Sequence, residues 1–232
     1  MSRNKAIFFD IDDTLIATKS MFDFQSYYYG HACEYRHADP KAVMSTFRQS
    51  LAQQVPDGCR EDLNRTFYRS FEGRSLIEVE TLAEEWFATL PASVWIEPAL
   101  ALLRKRRDEG YLIVGVSGSS HEILSGINSA LRFDHLLAAQ LEVSFGLFTG
   151  ELIPPQTIGE GKAVAIRQLA DAHNIDLQSS AACGDHISDL AMLECVGEQI
   201  IVTGDPLLEK IARDRGWVTL TRTAKSDAEV HV

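Results

Sequence analysis

Basic residues are scarce in this sequence. Its 232 residues include 22 lysines and arginines against 33 aspartates and glutamates, which gives a formal net charge of -11. A surface that binds nucleic acid needs clustered Lys and Arg side chains, so we expect no nucleic-acid partner. Long apolar runs are also lacking, because no stretch of the sequence approaches the roughly 18 apolar residues of a membrane-spanning helix. We therefore expect no membrane association.

Cysteine is sparse, and the four cysteines lie far apart without a C-x-x-C pair: Cys33, Cys59, Cys183 and Cys195. Residues 1–5 lead straight into a short apolar segment and show no signal-peptide hydrophobic region. These observations favour reduced thiols over disulfides or zinc ligands. We expect a cytoplasmic protein.

Strand-like and helix-like segments alternate along much of the chain. The apolar segments at 6–9, 111–116, 180–183 and 199–202 each lead into a turn and then a helix-like stretch. This alternation predicts an α/β fold, a Rossmann-like parallel sheet with helices on both faces. Ligands of such sheets bind beyond the carboxyl ends of the strands, so the loops at 10–14, 117–120 and 184–189 should meet at one crevice.

The segment between the first two strands has a different character, because helix formers with apolar residues at three and four spacing dominate it. We predict about four helices there, as an inserted helical-bundle cap domain over 18–97. The α/β core domain then comprises 1–17 and 98–220, and the polar stretch 221–232 is expected to be a disordered tail. Apolar and polar residues alternate over 141–152, and the alternation breaks at Phe145-Gly146. This pattern predicts a hairpin.

Acidic side chains gather at two of the predicted strand ends. Asp10 and Asp12 follow the first strand, and Asp185 and Asp189 follow the third. An isolated D-x-D would fit a solvated turn equally well. Four carboxylates at one crevice, however, would repel one another without a cation. Mg²⁺ fits best, because it prefers oxygen ligands and keeps room for water and a phosphate.

Two further features favour a phosphate ligand. Residues 117–120, SGSS, offer a hydroxyl and N–H groups where we expect the next helix to start, and Lys162 offers a charge at the start of another. Taken singly, Ser117 would be a helix cap and Lys162 a solvated lysine. A P-loop is excluded at Lys162, because Gln156 and Ala163 replace its required Gly and Ser/Thr.

Four stretches, in order along the chain, carry these residues: DIDDT (10–14), VSGSS (116–120), GEGK (159–162) and GDHISD (184–189). Their order, spacing and strand-end placement resemble the four motifs of the haloacid dehalogenase superfamily, in its phosphoserine-phosphatase-like branch. The resemblance implies the Rossmann-like core, a cap where the helical insertion lies, and a phosphatase acting on a small phosphate ester.

The resemblance also implies the roles of the motif residues. Asp10 is expected to attack phosphorus and become an aspartyl phosphate. Asp12 would protonate the leaving oxygen and then activate the hydrolytic water. Mg²⁺ would be held by the Asp10 side chain, the Asp12 carbonyl and Asp185.

The same resemblance assigns phosphate binding to Ser117, Lys162 and the Gly118 N–H, which would also stabilise charge in the transition state. Asp189 would orient metal-bound water or Lys162, and Thr14 would support the metal ligands.

The sequence indicates the type of reaction more closely than it indicates the substrate. The family's phosphoserine phosphatases read the substrate ammonium with a Glu, and Lys19 stands near that place here. Gln54 stands where those enzymes have a carboxylate-reading Arg. We therefore expect a substrate other than phosphoserine, with possible contacts from Lys19, Phe22 and Arg48. His186 is expected to have no chemical role.

Three alternatives stay open. The same aspartyl phosphate could be passed to an alcohol, which would make the protein a phosphotransferase. Residues 115–119, GVSGS, approximate the G-x-S-x-G turn of a serine hydrolase with Ser117 as nucleophile, although the final Gly is absent. Finally, the fold could have been retained in a binding protein without turnover.

Overall fold

The computed structural model describes residues 4–222. Seven strands in this range form one sheet, in the order β4-β3-β2-β1-β5-β6-β7. Their bounds are β1 Ala6–Asp10, β2 Leu112–Ser120, β3 His135–Ser144, β4 Leu147–Ile153, β5 Ala181–Gly184, β6 Glu198–Val202 and β7 Val218–Leu220. All neighbouring pairs are parallel except β3 and β4. The predicted strands are confirmed, and β2 extends four residues further than the segment predicted at 111–116.

Nine α-helices occur within residues 4–222. They are α1 Ser20–His31, α2 Pro40–Gln54, α3 Arg60–Arg69, α4 Leu76–Thr89, α5 Glu97–Asp108, α6 Ser125–Leu131, α7 Glu160–His173, α8 Leu190–Glu194 and α9 Pro206–Arg215. None of these described helices has the length and apolarity that a membrane crossing requires.

Strand β1 occupies the centre of the sheet, and all five of its residues are buried. Successive side chains of a strand point to opposite faces. Ile7 and Phe9 accordingly join one apolar core, and Ala6 and Phe8 join a second on the other face. Helices cover both faces, so the predicted α/β Rossmann-like class is confirmed.

Helices α1 to α4 lie between β1 and β2, and we call them the helical insert. Their number matches the expectation for this segment. Aromatic side chains fill the inside of the insert, with Phe24, Phe67 and Trp86 all fully or almost fully buried. These rings belong to the same apolar cluster as Ile7 and Phe9 of β1, so the insert packs directly onto the core.

The predicted hairpin is confirmed as the antiparallel pair of β3 and β4. Phe145 and Gly146 form its turn, and both have positive φ angles, 51° and 80°. Such angles at both central positions are typical of the two-residue turn that matches strand twist. Of the tail predicted at 221–232, residues 223–232 lie outside the described part of the chain.

Candidate active site

The carboxyl ends of β1, β2 and β5 meet at one cavity, as the strand-end argument predicted. Asp10 ends β1, Ser117 lies near the end of β2, and Asp185 follows β5 directly. Lys162 from the first turn of α7 and Asp189 from the loop after β5 line the same cavity. All five residues are buried, so the charges of the three aspartates and Lys162 interact strongly.

Lys162 is the cation at the centre of this cluster. Its Nζ donates to Asp10 Oδ1 at 2.5 Å and to Asp189 Oδ1 at 2.7 Å. Burial alone would lower the pKa of the ammonium, but the charges of Asp10 and Asp189 raise it above its ordinary value. The interpretation as a solvated lysine is therefore wrong, because only 3% of the residue is exposed.

Asp189 holds Lys162 with one carboxylate oxygen and the loop after β5 with the other. Its Oδ2 accepts the backbone N–H groups of Asp185 and His186 at 3.2 and 3.3 Å. Gly184 allows this approach, because a Cβ there would lie 2.7 Å from that oxygen. This placement suits the orienting role that the resemblance assigns to Asp189.

Three carboxylates of this cluster form a site that fits a divalent cation. Asp10, Asp185 and Asp189 can each offer one oxygen, and these three atoms lie within 4.8 Å of one another. Thr14 Oγ1 lies 3.3 Å from Asp10 Oδ2 and 3.2 Å from Asp185 Oδ1. Burial, with the charges of Asp10 and Asp189, raises the pKa of Asp185 to about 8. Lys162 alone does not balance the three acids, and a hard cation would.

Asp12 lines the same cavity, but its side chain is not among the three carboxylates that can share a cation. Its Oδ1 is buried and has no hydrogen-bond partner among residues 4–222. Burial and the neighbouring charge of Asp10 raise the pKa of Asp12 to about 7. Asp12 can therefore lose and regain a proton near neutral pH.

Asp13 turns away from these acids. Its φ of 65° places it in the left-handed region. Its side chain pairs with Lys19 at 2.8 Å and with Arg222 at 3.0 Å. The positions of these three side chains indicate that Asp13 serves the turn after β1.

The segment around Ser117 is extended, whereas the sequence predicted that a helix starts there. Ser117 is not a helix cap, because β2 continues through Ser120 and α6 begins only at Ser125. Neither neighbouring strand has a register pair with residues 117–119. Ser117 Oγ instead accepts the Ser119 N–H at 3.1 Å. The extended segment 117–119 thus carries the groups expected to bind phosphate, and we call it the phosphate loop.

Three side chains that sequence reasoning missed bind the carbonyls of the phosphate loop. Thr157 Oγ1 donates to the Ser117 carbonyl at 2.6 Å. Asn64 Nδ2 and the Tyr68 hydroxyl both donate to the Gly118 carbonyl, at 2.8 and 3.2 Å. Asn64 and Tyr68 come from α3 and belong to no recognisable motif.

Of the three residues predicted to contact the substrate, Lys19 lines the cavity. Phe22 and Arg48 are not among the lining residues, so the expectation of direct contacts is not supported for these two. Phe22 turns instead into the helical insert, where it packs edge-on against Phe67 with ring centroids 5.4 Å apart. The Arg48 guanidinium lies over the Phe22 ring at 6.0 Å.

Arg60, which sequence reasoning did not single out, lines the cavity at the start of α3. Its Nη1 lies 2.7 Å from His186 Nδ1 and 3.1 Å from Ser188 Oγ. The Ser188 N–H also donates to His186 Nδ1, so the imidazole proton belongs on Nε2. His186, expected to have no chemical role, therefore links the loop after β5 to the helical insert.

Comparison with known proteins finds a family model and named relatives that match most of this chain. The family model for haloacid dehalogenase-like hydrolases matches residues 7–194. A Mycobacterium tuberculosis H37Rv protein named "Probable phosphatase Rv3661" is 33% identical over 217 residues, which cover 93% of this chain and 75% of that protein. "Phosphoserine phosphatase SerB1" of the same strain is 28% identical, over 98% of this chain and 74% of its own length.

A protein of unknown function from Bordetella pertussis Tohama I has a similar crystal structure. Its TM-score is 0.83 at 23% identity, with 94% of this chain and 99% of that chain covered. At this identity the likeness concerns the fold.

Proposed function

We propose that this chain, which belongs to the haloacid dehalogenase-like hydrolase family, is a Mg²⁺-dependent phosphatase that hydrolyses a small phosphate monoester through an aspartyl phosphate. The observation that carries the proposal is the contact of Lys162 with both Asp10 and Asp189 beside Asp185. A carboxylate suited to act as nucleophile, a cation suited to bind phosphate and acids suited to hold a metal thus lie in one buried cluster.

Asp10 is the proposed nucleophile. Its carboxylate oxygen attacks phosphorus, an acyl phosphate bond forms, and the ester P–O bond breaks. Asp12 gives its proton to the leaving oxygen, and then takes a proton from the water that attacks the acyl phosphate. Phosphate leaves and Asp10 is regenerated. The pKa of Asp12, about 7, suits a group that must act first as acid and then as base.

Mg²⁺ would be held by the side chains of Asp10 and Asp185 and by the carbonyl of Asp12. When bound, it would neutralise the negative charge that keeps a carboxylate and a phosphate apart. The raised pKa of Asp185 is consistent with this assignment, because it reflects burial together with repulsion from Asp10 and Asp189, and a cation would relieve that repulsion.

The phosphoryl oxygens would be bound by Lys162, by the Ser117 hydroxyl and by the Gly118 N–H. Ser117 suits this role because its oxygen already accepts the Ser119 N–H, which leaves its proton free for a ligand. These donors lie beside Asp10 in the cavity. They would stabilise the charge that moves onto the phosphoryl group.

The helical insert would act as the cap of this site, with the cap domain proposed at 18–97 and the core at 1–17 and 98–220. Lys19, Met21 and Arg60 of this segment line the cavity, so the leaving group would lie against them. Two cationic side chains disfavour an ammonium group there. We therefore propose a substrate other than phosphoserine.

Hydrolysis of p-nitrophenyl phosphate tests the proposal. The wild type should release phosphate with Mg²⁺ and lose this activity in EDTA. Asp10→Asn should lower kcat by about 10³-fold or more, whereas the matched change Asp171→Asn, on the exposed face of α7, should leave it unchanged. Activity of Asp10→Asn close to that of the wild type would rule out the mechanism.

The same assay separates the alternatives. A serine hydrolase would be indifferent to EDTA and would need Ser117 absolutely. A phosphotransferase would release nitrophenol in excess of phosphate when an alcohol acceptor is added. Equal yields of the two products across a range of acceptors would support hydrolysis.

A further inference from the structure

The Gly118 carbonyl accepts two hydrogen bonds from one helix. Asn64 Nδ2 donates at 2.8 Å and the Tyr68 hydroxyl at 3.2 Å. The two residues are four positions apart on α3, so they share a face of that helix. Both are buried, with 3% and 0% exposure. A buried pair of donors on one carbonyl fixes its direction firmly.

The direction of the Gly118 carbonyl matters because a peptide unit is planar and trans. The N–H of Ser119 belongs to the same unit and points the opposite way. It reaches Ser117 Oγ at 3.1 Å. Holding the Gly118 carbonyl therefore also holds the Ser117 hydroxyl oxygen, with its proton left for another acceptor.

The preceding peptide unit is held in the same manner. Thr157 Oγ1 donates to the Ser117 carbonyl at 2.6 Å, which fixes the N–H of Gly118 on the opposite side of that unit. Residues 117–119 have no register pair on either neighbouring strand, β1 or β3. Side chains from outside the sheet thus set the direction of both N–H groups in the phosphate loop.

Asn64 extends this arrangement to the element that carries Lys162. Its Oδ1 accepts Gln156 Nε2 at 2.7 Å, which also settles the orientation of the amide. Gln156 lies against the first turn of α7, since a Cβ on Gly161 would come within 1.8 Å of its carbonyl oxygen. The Asn64 side chain therefore contacts both the phosphate loop and Gln156, the residue that lies against the helical turn carrying Lys162.

We propose that Asn64 and Tyr68 are positioning residues that set the phosphate affinity of the site by holding the Gly118 peptide. This inference rests on the proposed function, because it assigns phosphate binding to the loop. Without these donors the Gly118–Ser119 peptide can rotate, which removes the Ser119 N–H from Ser117 and turns a carbonyl toward the anion. The helical insert then contributes to phosphate binding without touching the phosphate.

The test uses the Mg²⁺-loaded full chain and measures binding of inorganic phosphate, both by titration calorimetry and as competitive inhibition of p-nitrophenyl phosphate hydrolysis. Tyr68→Phe should weaken phosphate binding about five-fold, the worth of one neutral hydrogen bond. Asn64→Asp should weaken it more, at least about ten-fold, because a carboxylate cannot donate to the Gly118 carbonyl and repels it. KM for the ester should rise in step with the inhibition constant.

Arg69→Ala is the matched control, since Arg69 is exposed on the same helix. It should leave phosphate binding unchanged. Tyr68→Phe retains the ring and its packing, so it tests the idea even if Asn64→Asp fails to fold. Wild-type phosphate affinity in Tyr68→Phe, or in a folded Asn64→Asp, would overturn the inference. A wild type that binds phosphate but does not hydrolyse the ester would instead count against the proposed function alone.

Discussion

The Asp205 carboxylate accepts the backbone N–H of Ile187 at 2.7 Å, although 18 positions separate the two residues. Its other oxygen caps α9 by accepting the Leu207 N–H at 2.9 Å. Burial alone would raise the pKa of Asp205, but these backbone donors lower it. One carboxylate therefore fixes both the start of α9 and the loop that carries Asp185.

Asp205→Ala should consequently impair both stability and metal binding. Loss of the cap and of the Ile187 contact should lower the free energy of unfolding by ~1–2 kcal/mol, measured by urea denaturation. The Mg²⁺ concentration for half-maximal activity should rise. Asp39→Ala removes a similar cap from α2, at Lys41 N–H, and should affect stability alone. Unchanged Mg²⁺ dependence in Asp205→Ala would show that the loop does not need this contact.

Asp185 should destabilise the protein when no metal is bound. Its pKa is raised from 3.8 to about 8, so the folded state holds this proton more tightly than the unfolded state does. The stability of the metal-free protein should therefore fall as pH rises from about 4 to about 8. Asp185→Asn removes this charge and should raise the metal-free stability at pH 8 by ~1 kcal/mol or more.

The matching measurement is thermal unfolding with EDTA and with Mg²⁺. Mg²⁺ should raise the melting temperature of the wild type and have little effect on Asp185→Asn. A variant that is less stable than the wild type in EDTA at pH 8, or that is still stabilised by Mg²⁺, would contradict the assignment of Asp185 as a metal ligand.

Asp12→Asn should separate the two halves of the proposed reaction. Nitrophenolate leaves without a proton, so formation of the aspartyl phosphate from p-nitrophenyl phosphate should continue. Hydrolysis of the intermediate should slow, because no base remains to activate water. Rapid mixing should then show a burst of about one nitrophenol per enzyme. Asp10→Asn should give no burst, and steady turnover by Asp12→Asn without a burst would argue against the base role.

Lys19→Glu should change the preference among substrates. Lys19 lines the cavity, so reversing its charge should improve kcat/KM for esters with an ammonium group, such as phosphoserine, by about ten-fold relative to esters with a neutral leaving group. Lys41→Glu makes the same charge change at an exposed position on α2 and should leave the profile unchanged. If the two variants have identical profiles, the argument against an ammonium-bearing substrate fails.

The sequence predicted the centre of the site better than its surroundings, for a physical reason. Asp10, Ser117 and Asp185 lie at strand ends, and parallel strands bring their carboxyl ends together whatever the rest of the chain does. The motif around Lys162 predicted that this residue belongs to the site. The motif could not predict that Lys162 is buried, because its burial depends on the carboxylates that surround it.

The helical insert was less predictable, because its contacts depend on helix phase and docking. Helix α1 begins at Ser20, and its phase turns Met21 toward the cavity and Phe22 toward the rings of the insert. Arg60 and Asn64 reach the core by packing of α3. Such contacts join residues far apart in sequence and leave no spacing pattern to recognise.

Helix α3 differs sharply between its two ends. At its start, Arg60 meets the core through hydrogen bonds to His186 and Ser188, which water can replace at a net cost of ~1 kcal/mol each. Toward its end, Phe67 is fully buried among other aromatic rings, and separating them would expose apolar surface that water does not compensate. The start of α3 should therefore separate from the core more easily than its end does. We expect substrate to enter, and phosphate to leave, at the start of α3.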